Sequence, residues 1–227
     1  MLTDLGLTFD TTPYTVTPFN GGSLHVPKEA EVDVGTILGH LDSWREAFGD
    51  VISFPEVLPI HIFAVQNPSA IGVMGEPGAD AVLWHLWEPW QRNVWHLTHE
   101  VCEAHLKRLC NPPRWFVEGF AQLCAFTVLA KLPQGNPVQT AKDYYGTDFA
   151  SPDLLFSWSH PNVAKLSDLE TCLKSIHRSS TTRTLYASAL WLFVNGGISP
   201  SDTLNFATAM ANAPETAWLQ RFVANWT

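Results

Sequence analysis

Asn93-Val94-Trp95-His96-Leu97-Thr98-His99-Glu100-Val101-Cys102-Glu103-Ala104-His105-Leu106 is followed, after Asn111-Pro112-Pro113, by Trp115-Phe116-Val117-Glu118-Gly119-Phe120-Ala121. Apolar residues recur at helical spacing in both blocks, and proline in succession cannot continue a helix. The sequence therefore predicts two helices, over about 91–110 and 114–131, broken at Asn111-Pro112-Pro113. The break lets the second helix fold back on the first. Helices are also expected at about 166–177, 184–195, 201–212 and 215–225.

The chain before this stretch reads differently. Residues 1 to 12 are expected to be a loose lead-in. Tyr14-Thr15-Val16-Thr17 is rich in β-formers and reads as a strand. Gly21-Gly22 marks a turn, and Leu24-His25-Val26 a short return strand. From Ala30 the period becomes helical. Val34, Ile37, Leu38, Leu41, Trp44 and Phe48 share one face, which Gly49 is expected to close. Ile60–Val65 reads as a buried strand. Gly72, Gly75, Pro77 and Gly78 mark a bend-rich passage, and Ala81–Trp87 reads as the next strand, stopped by Glu88-Pro89. Pro133 to Pro161 is expected to be irregular. A β-rich front half, 1–90, followed by a helical half, 91–227, indicates an α+β fold in one domain spanning 1–227.

Composition narrows the function. The chain has 227 residues and a formal charge of -9. That charge argues against a nucleic-acid partner, which calls for a basic patch, and against an anionic membrane surface. The first residues lack a basic region followed by an apolar stretch, so no secretory signal is expected. Apolar runs break off before membrane-spanning length. Cys102, Cys110, Cys124 and Cys172 have no CxxC spacing and sit in apolar helical patterns. They read as reduced, buried thiols, and the expected location is cytoplasmic.

On the first helix, at about 100° per residue, Glu103 lies about 40° from His99, Glu100 about 100° and His96 about 60°. His105 lies about 240° away. One flank thus carries His96, His99, Glu100 and Glu103. In HExxH sites two histidines bind zinc and the glutamate between them is the general base. Here Glu103 stands in place of the second histidine, and Glu118 on the next helix would be the third ligand. A His-Glu pair standing alone is ordinarily an exposed face or a satisfied polar pair. This one is flanked by Val94, Trp95, Leu97, Val101, Leu106 and Leu109. Buried carboxylates need partners or a metal, and the cations close in sequence are Arg92, Lys107, Arg108 and Arg114.

These blocks resemble the gluzincin metallopeptidases, the thermolysin-like aminopeptidases and their small peptidase-MA-like relatives. His99-Glu100-x-x-Glu103 is similar to their metal helix. Trp115-Phe116-Val117-Glu118-Gly119-Phe120-Ala121 is similar to the block whose Glu is the third zinc ligand. Thr184–Gly197 is similar to a later helix carrying a tyrosine that stabilises the oxyanion. The resemblance covers most of the chain but is specific only at these three blocks. It implies a zincin-like fold with His99 and Glu118 as metal ligands, Glu103 in the remaining ligand position, Glu100 as general base and Tyr186 as electrophilic hydroxyl. It also implies a zinc cofactor and a peptide or small-molecule substrate, with Ala81–Trp87 as the edge strand that pairs it. Gly72-Val73-Met74-Gly75-Glu76 resembles, with an inserted glycine, the loop that binds the substrate amine in aminopeptidases.

Glu103 widens the possibilities. One imidazole and two carboxylates neutralise a divalent ion, whereas two imidazoles and one carboxylate leave a positive site. An oxygen-rich set also admits manganese or iron. Three outcomes stay open: a metal-dependent peptidase, a metalloenzyme of another reaction, or a metal-free binding module. The tryptophans Trp84, Trp87, Trp90, Trp95 and Trp115 read first as core and second as an apolar wall for a bulky substrate group. His96 reads first as a cleft-lining side chain beside the site and second as a reserve ligand. His25, His40, His61, His85, His160 and His177 carry no assignment.

Overall fold

The computed structural model describes residues 14–55, 58–66, 73–76, 79–110, 112–137, 139–140, 190, 193 and 197–226. The fold is mixed α+β. In chain order its elements are β1 (Tyr14–Phe19), β2 (Gly22–Pro27), α1 (Val34–Val51), β3 (Ile60–Val65), β4 (Val73–Glu76), β5 (Ala79–His85), α2 (Trp90–Leu109), α3 (Arg114–Lys131), α4 (Pro200–Met210) and α5 (Glu215–Trp226). The helices expected at 166–177 and 184–195 lie outside the described residues, apart from Leu190 and Phe193, which are helical and buried.

The five strands form one sheet in the order β1-β2-β3-β5-β4. β2, β3 and β5 run parallel, and β1 and β4 are antiparallel to their neighbours. Leu24, Val26, Ile60, Ile62, Ala64, Val82 and Trp84 join the main core with the helices. Phe63, Val65, Ala81 and Leu83 form a second cluster with Tyr14. Side chains alternate between faces along a strand, so β3 and β5 bury apolar residues on both faces. That is why they read as unbroken apolar runs rather than alternating ones. Gly21 has φ +93°, and a side chain on Gly22 would collide with the Ile60 carbonyl. These two glycines turn the β1–β2 hairpin and let it lie against β3.

Two expectations for the sheet need correction. Ala81–Trp87 is not the edge: β5 lies between β3 and β4, and β4 is the outer strand. β5 also ends at His85. Leu86 still donates to the Val65 carbonyl, but Trp87 is 55% exposed. The passage around Gly72–Gly78 contains β4, which pairs with Ala79–Ala81 across a register irregularity between Met74 and Glu76. Short length and a bulge are how edge strands resist pairing with other chains, and they also erase the local β signal.

Asp33 caps α1, accepting from the Thr36 N–H at 3.1 Å and the Thr36 hydroxyl at 2.7 Å. The helix passes Gly49 and ends at Val51, because its last turn places Val51 in the core. Trp44 is fully buried, and its Nε1 donates to Thr98 Oγ1 at 2.9 Å. This bond ties α1 to the middle of α2. The α2–α3 break falls where expected, with Pro113 as the cap residue of α3. The helices pack against each other more extensively than any other pair of elements among the described residues. α3 is apolar around most of its circumference, which marks it as a central helix. Phe116 packs against Phe206 at 5.7 Å, Trp218 at 4.9 Å and Phe222 at 5.6 Å. Aromatic pairs of this kind contribute about 0.5–1.5 kcal/mol each beyond area burial. They fix the turn of α3 that presents Glu118. No helix among the described residues is long and apolar enough to cross a membrane.

Candidate metal centre

α2 and α3 bring His99, Glu103 and Glu118 together. His99 Nε2 lies 3.0 Å from Glu103 Oε1 and 3.2 Å from Glu118 Oε2. One ligand atom from each residue falls within 4.8 Å of the others, and all three residues are buried. Two ligands held at about 2.0–2.1 Å on one tetrahedral ion are about 3.3 Å apart. The His99 contacts therefore already have the separation that a shared ion imposes, and the donor set of one nitrogen and two oxygens suits zinc, manganese or iron.

Each carboxylate uses its other oxygen for a cation. Glu103 Oε2 accepts from Lys107 Nζ at 2.6 Å. Glu118 Oε1 is paired with the Arg114 guanidinium, each cation lying one helical turn from its carboxylate. Each carboxylate thus keeps one oxygen towards His99 and has the other held from outside. Arg92 pairs with Glu88 at 3.9 Å and lies over the Trp95 ring.

The charges follow from these contacts. Burial opposes charge on His99, but Glu103 and Glu118 outweigh it and hold the imidazole well above its ordinary pKa. Burial also opposes charge on Glu103, and His99 with Lys107 overcomes it, so this carboxyl lies well below the usual range. Glu118 is raised, first by burial and then by the charge of Glu103, against the pull of His99 and Arg114. Without an ion the cluster is an imidazolium between two carboxylates. A divalent ion would take the place of the proton on Nε2. His99 Nδ1 is buried without a hydrogen-bond partner among the described residues, whereas ligating histidines usually donate from the second nitrogen to an acceptor.

Glu100 stands apart from this cluster. Its side chain is 15% exposed, and Oε1 contacts His96 Nε2 at 3.2 Å. It is not a fourth member of the buried group, which suits a residue that must meet substrate. Tyr186 lies outside the described residues. His105 faces away as expected: Nδ1 donates to the Val101 carbonyl at 2.8 Å and the ring stacks on Phe54 at 4.2 Å. Trp84, Trp95 and Trp115 are buried, as the core reading expects, while Trp87 is exposed. Cys102, Cys110 and Cys124 are buried and free, and burial raises the Cys110 thiol to about 11. Cys172 lies outside the described residues.

Sequence reasoning missed three residues around the centre. His85 is buried and lies parallel to His96, 6.2 Å between ring centroids. Gln122 is fully buried, and neither of its side-chain polar atoms has a hydrogen-bond partner among the described residues. It lies one turn after Glu118 on the same flank, a spacing that could have singled it out. Asn93 is the third. Its Oδ1 accepts from the His85 N–H at 2.7 Å and its Nδ2 donates to the His85 carbonyl at 2.9 Å. This fork fixes the corner where β5 enters α2. Asn93→Ala removes the side-chain acceptor of the buried His85 N–H, while the His85 carbonyl keeps the Glu88 N–H at 3.1 Å, so urea unfolding should show a loss of about 1–3 kcal/mol.

Near the N-terminal end of α2 a cavity of about 530 Å³ is lined by Trp87, Glu88, Gln91, Arg92, Gln134, Asn136 and neighbouring residues. Arg92 precedes His99 by two helical turns, about 10.5 Å along the axis.

No family model matches the chain, and no curated protein matches it.

Proposed function

We propose that this chain is a metal-dependent hydrolase of the gluzincin type, which cleaves a peptide or amide bond with a metal-activated water. The observation that carries this reading is the convergence of His99, Glu103 and Glu118 from two consecutive helices at ligand-like separations. The helix pair follows directly on the mixed sheet, an order that supports the zincin-like reading. A bound divalent ion would supply an acidified water and polarise the scissile carbonyl.

The chain's own groups do the rest. Glu100 takes the proton from the attacking water and passes it to the leaving amine. His96 contacts the Glu100 carboxylate and orients it. Tyr186, by the resemblance, would donate to the oxyanion. Of the two outer strands, β1 and β4, the one beside β5 is β4, whose bulge would confine pairing with an extended peptide to a short stretch. The cavity beside Trp87 offers space for a remote part of the substrate.

A second reading is favoured by one observation. Lys107 and Arg114 sit on the two carboxylates, so each carboxylate has a cationic partner without any metal. On that reading the fold serves as a binding module. Metal analysis separates the two. Purified protein should carry, or take up on addition of zinc or manganese, close to one equivalent dependent on His99. Less than about a tenth of an equivalent, unrestored by either ion, would leave only the metal-free reading, since a formed site with deprotonated ligands retains its ion.

A further inference from the structure

Away from the α2–α3 seam, the sheet carries a second cluster of metal-ligating side chains. Ser23 Oγ lies 2.8 Å from His25 Nε2 and 2.8 Å from His61 Nδ1. The register accounts for the meeting. Ser23 stands opposite His61 and His25 opposite Phe63 on the parallel pair β2–β3. His25 and His61 are therefore diagonal neighbours on one face, with ring centroids 5.6 Å apart.

The two rings are held differently. His25 stacks on Phe63 at 4.2 Å and 19°, and Tyr14 meets both rings edge-on. His61 is exposed, so an ion can reach the pair from solvent. Both nitrogens contact one oxygen, so their separation is at most twice that contact. On one ion they would be about 3.3 Å apart, from bonds of about 2.0–2.1 Å. His61 is the exposed partner, so its ring is the one that an ion would draw in. A single hydroxyl carries one proton and can donate to only one of the two nitrogens; the other must donate to it. An ion that displaces these two protons would be met by both imidazole nitrogens.

We infer that His25 and His61, with the Ser23 hydroxyl beside them, form a second metal site, a two-imidazole surface site for a late first-row divalent ion such as copper, nickel or zinc. Imidazole nitrogen suits these ions, and the absence of a carboxylate among the cluster's described contacts disfavours magnesium, calcium and manganese. The ion would clip β2 to β3. The site stands independently of the proposed hydrolase centre, with which it shares no residue.

The test is a nickel(II) and copper(II) titration of the full chain, followed by calorimetry and by the nitrogen hyperfine pattern of bound copper. The native chain should bind one equivalent that His61→Ala loses or weakens by about 10–100-fold or more. His25→Ala should do the same, while His40→Ala and His99→Gln should leave this equivalent in place. Copper at the site should show two equivalent imidazole nitrogens, falling to one in His61→Ala. His61 is exposed, so its replacement leaves the fold intact. Unchanged affinity and stoichiometry in His61→Ala, or no nickel or copper bound beyond that of His61→Ala, would overturn the inference.

Discussion

Glu100→Gln should lower hydrolysis of a mixture of internally quenched peptides by about 10²–10⁴-fold, the usual contribution of a positioned general base, while metal content stays unchanged. The geometry separates the two effects. The buried ligand atoms belong to His99, Glu103 and Glu118. Glu100 is partly exposed and contacts His96, so an isosteric amide disturbs neither the core nor the cluster. The amide keeps a hydrogen bond to His96 but cannot accept a proton from water. Retention of full activity by the variant would remove Glu100 from the chemistry. A native chain that holds metal yet leaves every peptide uncut would refute the peptidase reading and favour a different reaction at the same ion.

The division between what the sequence reveals and what it conceals follows from the range of the interactions. α2 and α3 are legible because their signals are local: apolar spacing, a Pro-Pro break and a reversed chain. The His99–Glu103–Glu118 cluster follows, since two ligands lie one turn apart and the third comes from the next helix. Lys107 and Arg114 were also among the cations that the sequence offers. β4 was not legible, because Gly75, Pro77 and Gly78 are poor strand formers and its pairing with β5 comes from tertiary contact. The edge of the sheet was misassigned for a related reason. Strand order is set by how β3, β4 and β5 cross over, and no residue within β5 encodes which neighbour lies outside it. Trp87 illustrates the same limit. In sequence it continues the apolar run of β5, but the strand ends at His85, where Asn93 bonds the backbone, and the indole is exposed. The His25–Ser23–His61 meeting depends on the β2–β3 register, so scattered histidines became a cluster only in three dimensions.

Glu118→Gln should abolish the gain in thermal stability that zinc confers through the α2–α3 centre. The measurement is made in a His61→Ala background, so that the sheet site contributes nothing. A ligand present at a hundredfold its Kd stabilises the native state by about 2.7 kcal/mol. For a chain of this size that corresponds to a rise in Tm of about 5–10 °C. Loss of a direct ligand weakens binding by more than the roughly 10–100-fold that loss of an outer hydrogen-bond partner costs. At the same zinc concentration the ion would then occupy half the protein or less, and the gain would fall below about 0.5 kcal/mol. The comparison is between loaded and unloaded protein of the same variant, because the unloaded state changes too. The imidazolium of His99 loses one of its two carboxylate contacts, and Arg114 loses its charged partner. Removing one member of a buried ion pair costs about 3–5 kcal/mol when the partner stays charged. His99 can shed its proton and Arg114 is partly exposed, so the unloaded variant should lose less than that. An undiminished zinc-dependent rise in Glu118→Gln would place the ion elsewhere. A rise absent from both proteins would leave the cluster as an ion-paired core, held by Lys107 and Arg114 alone.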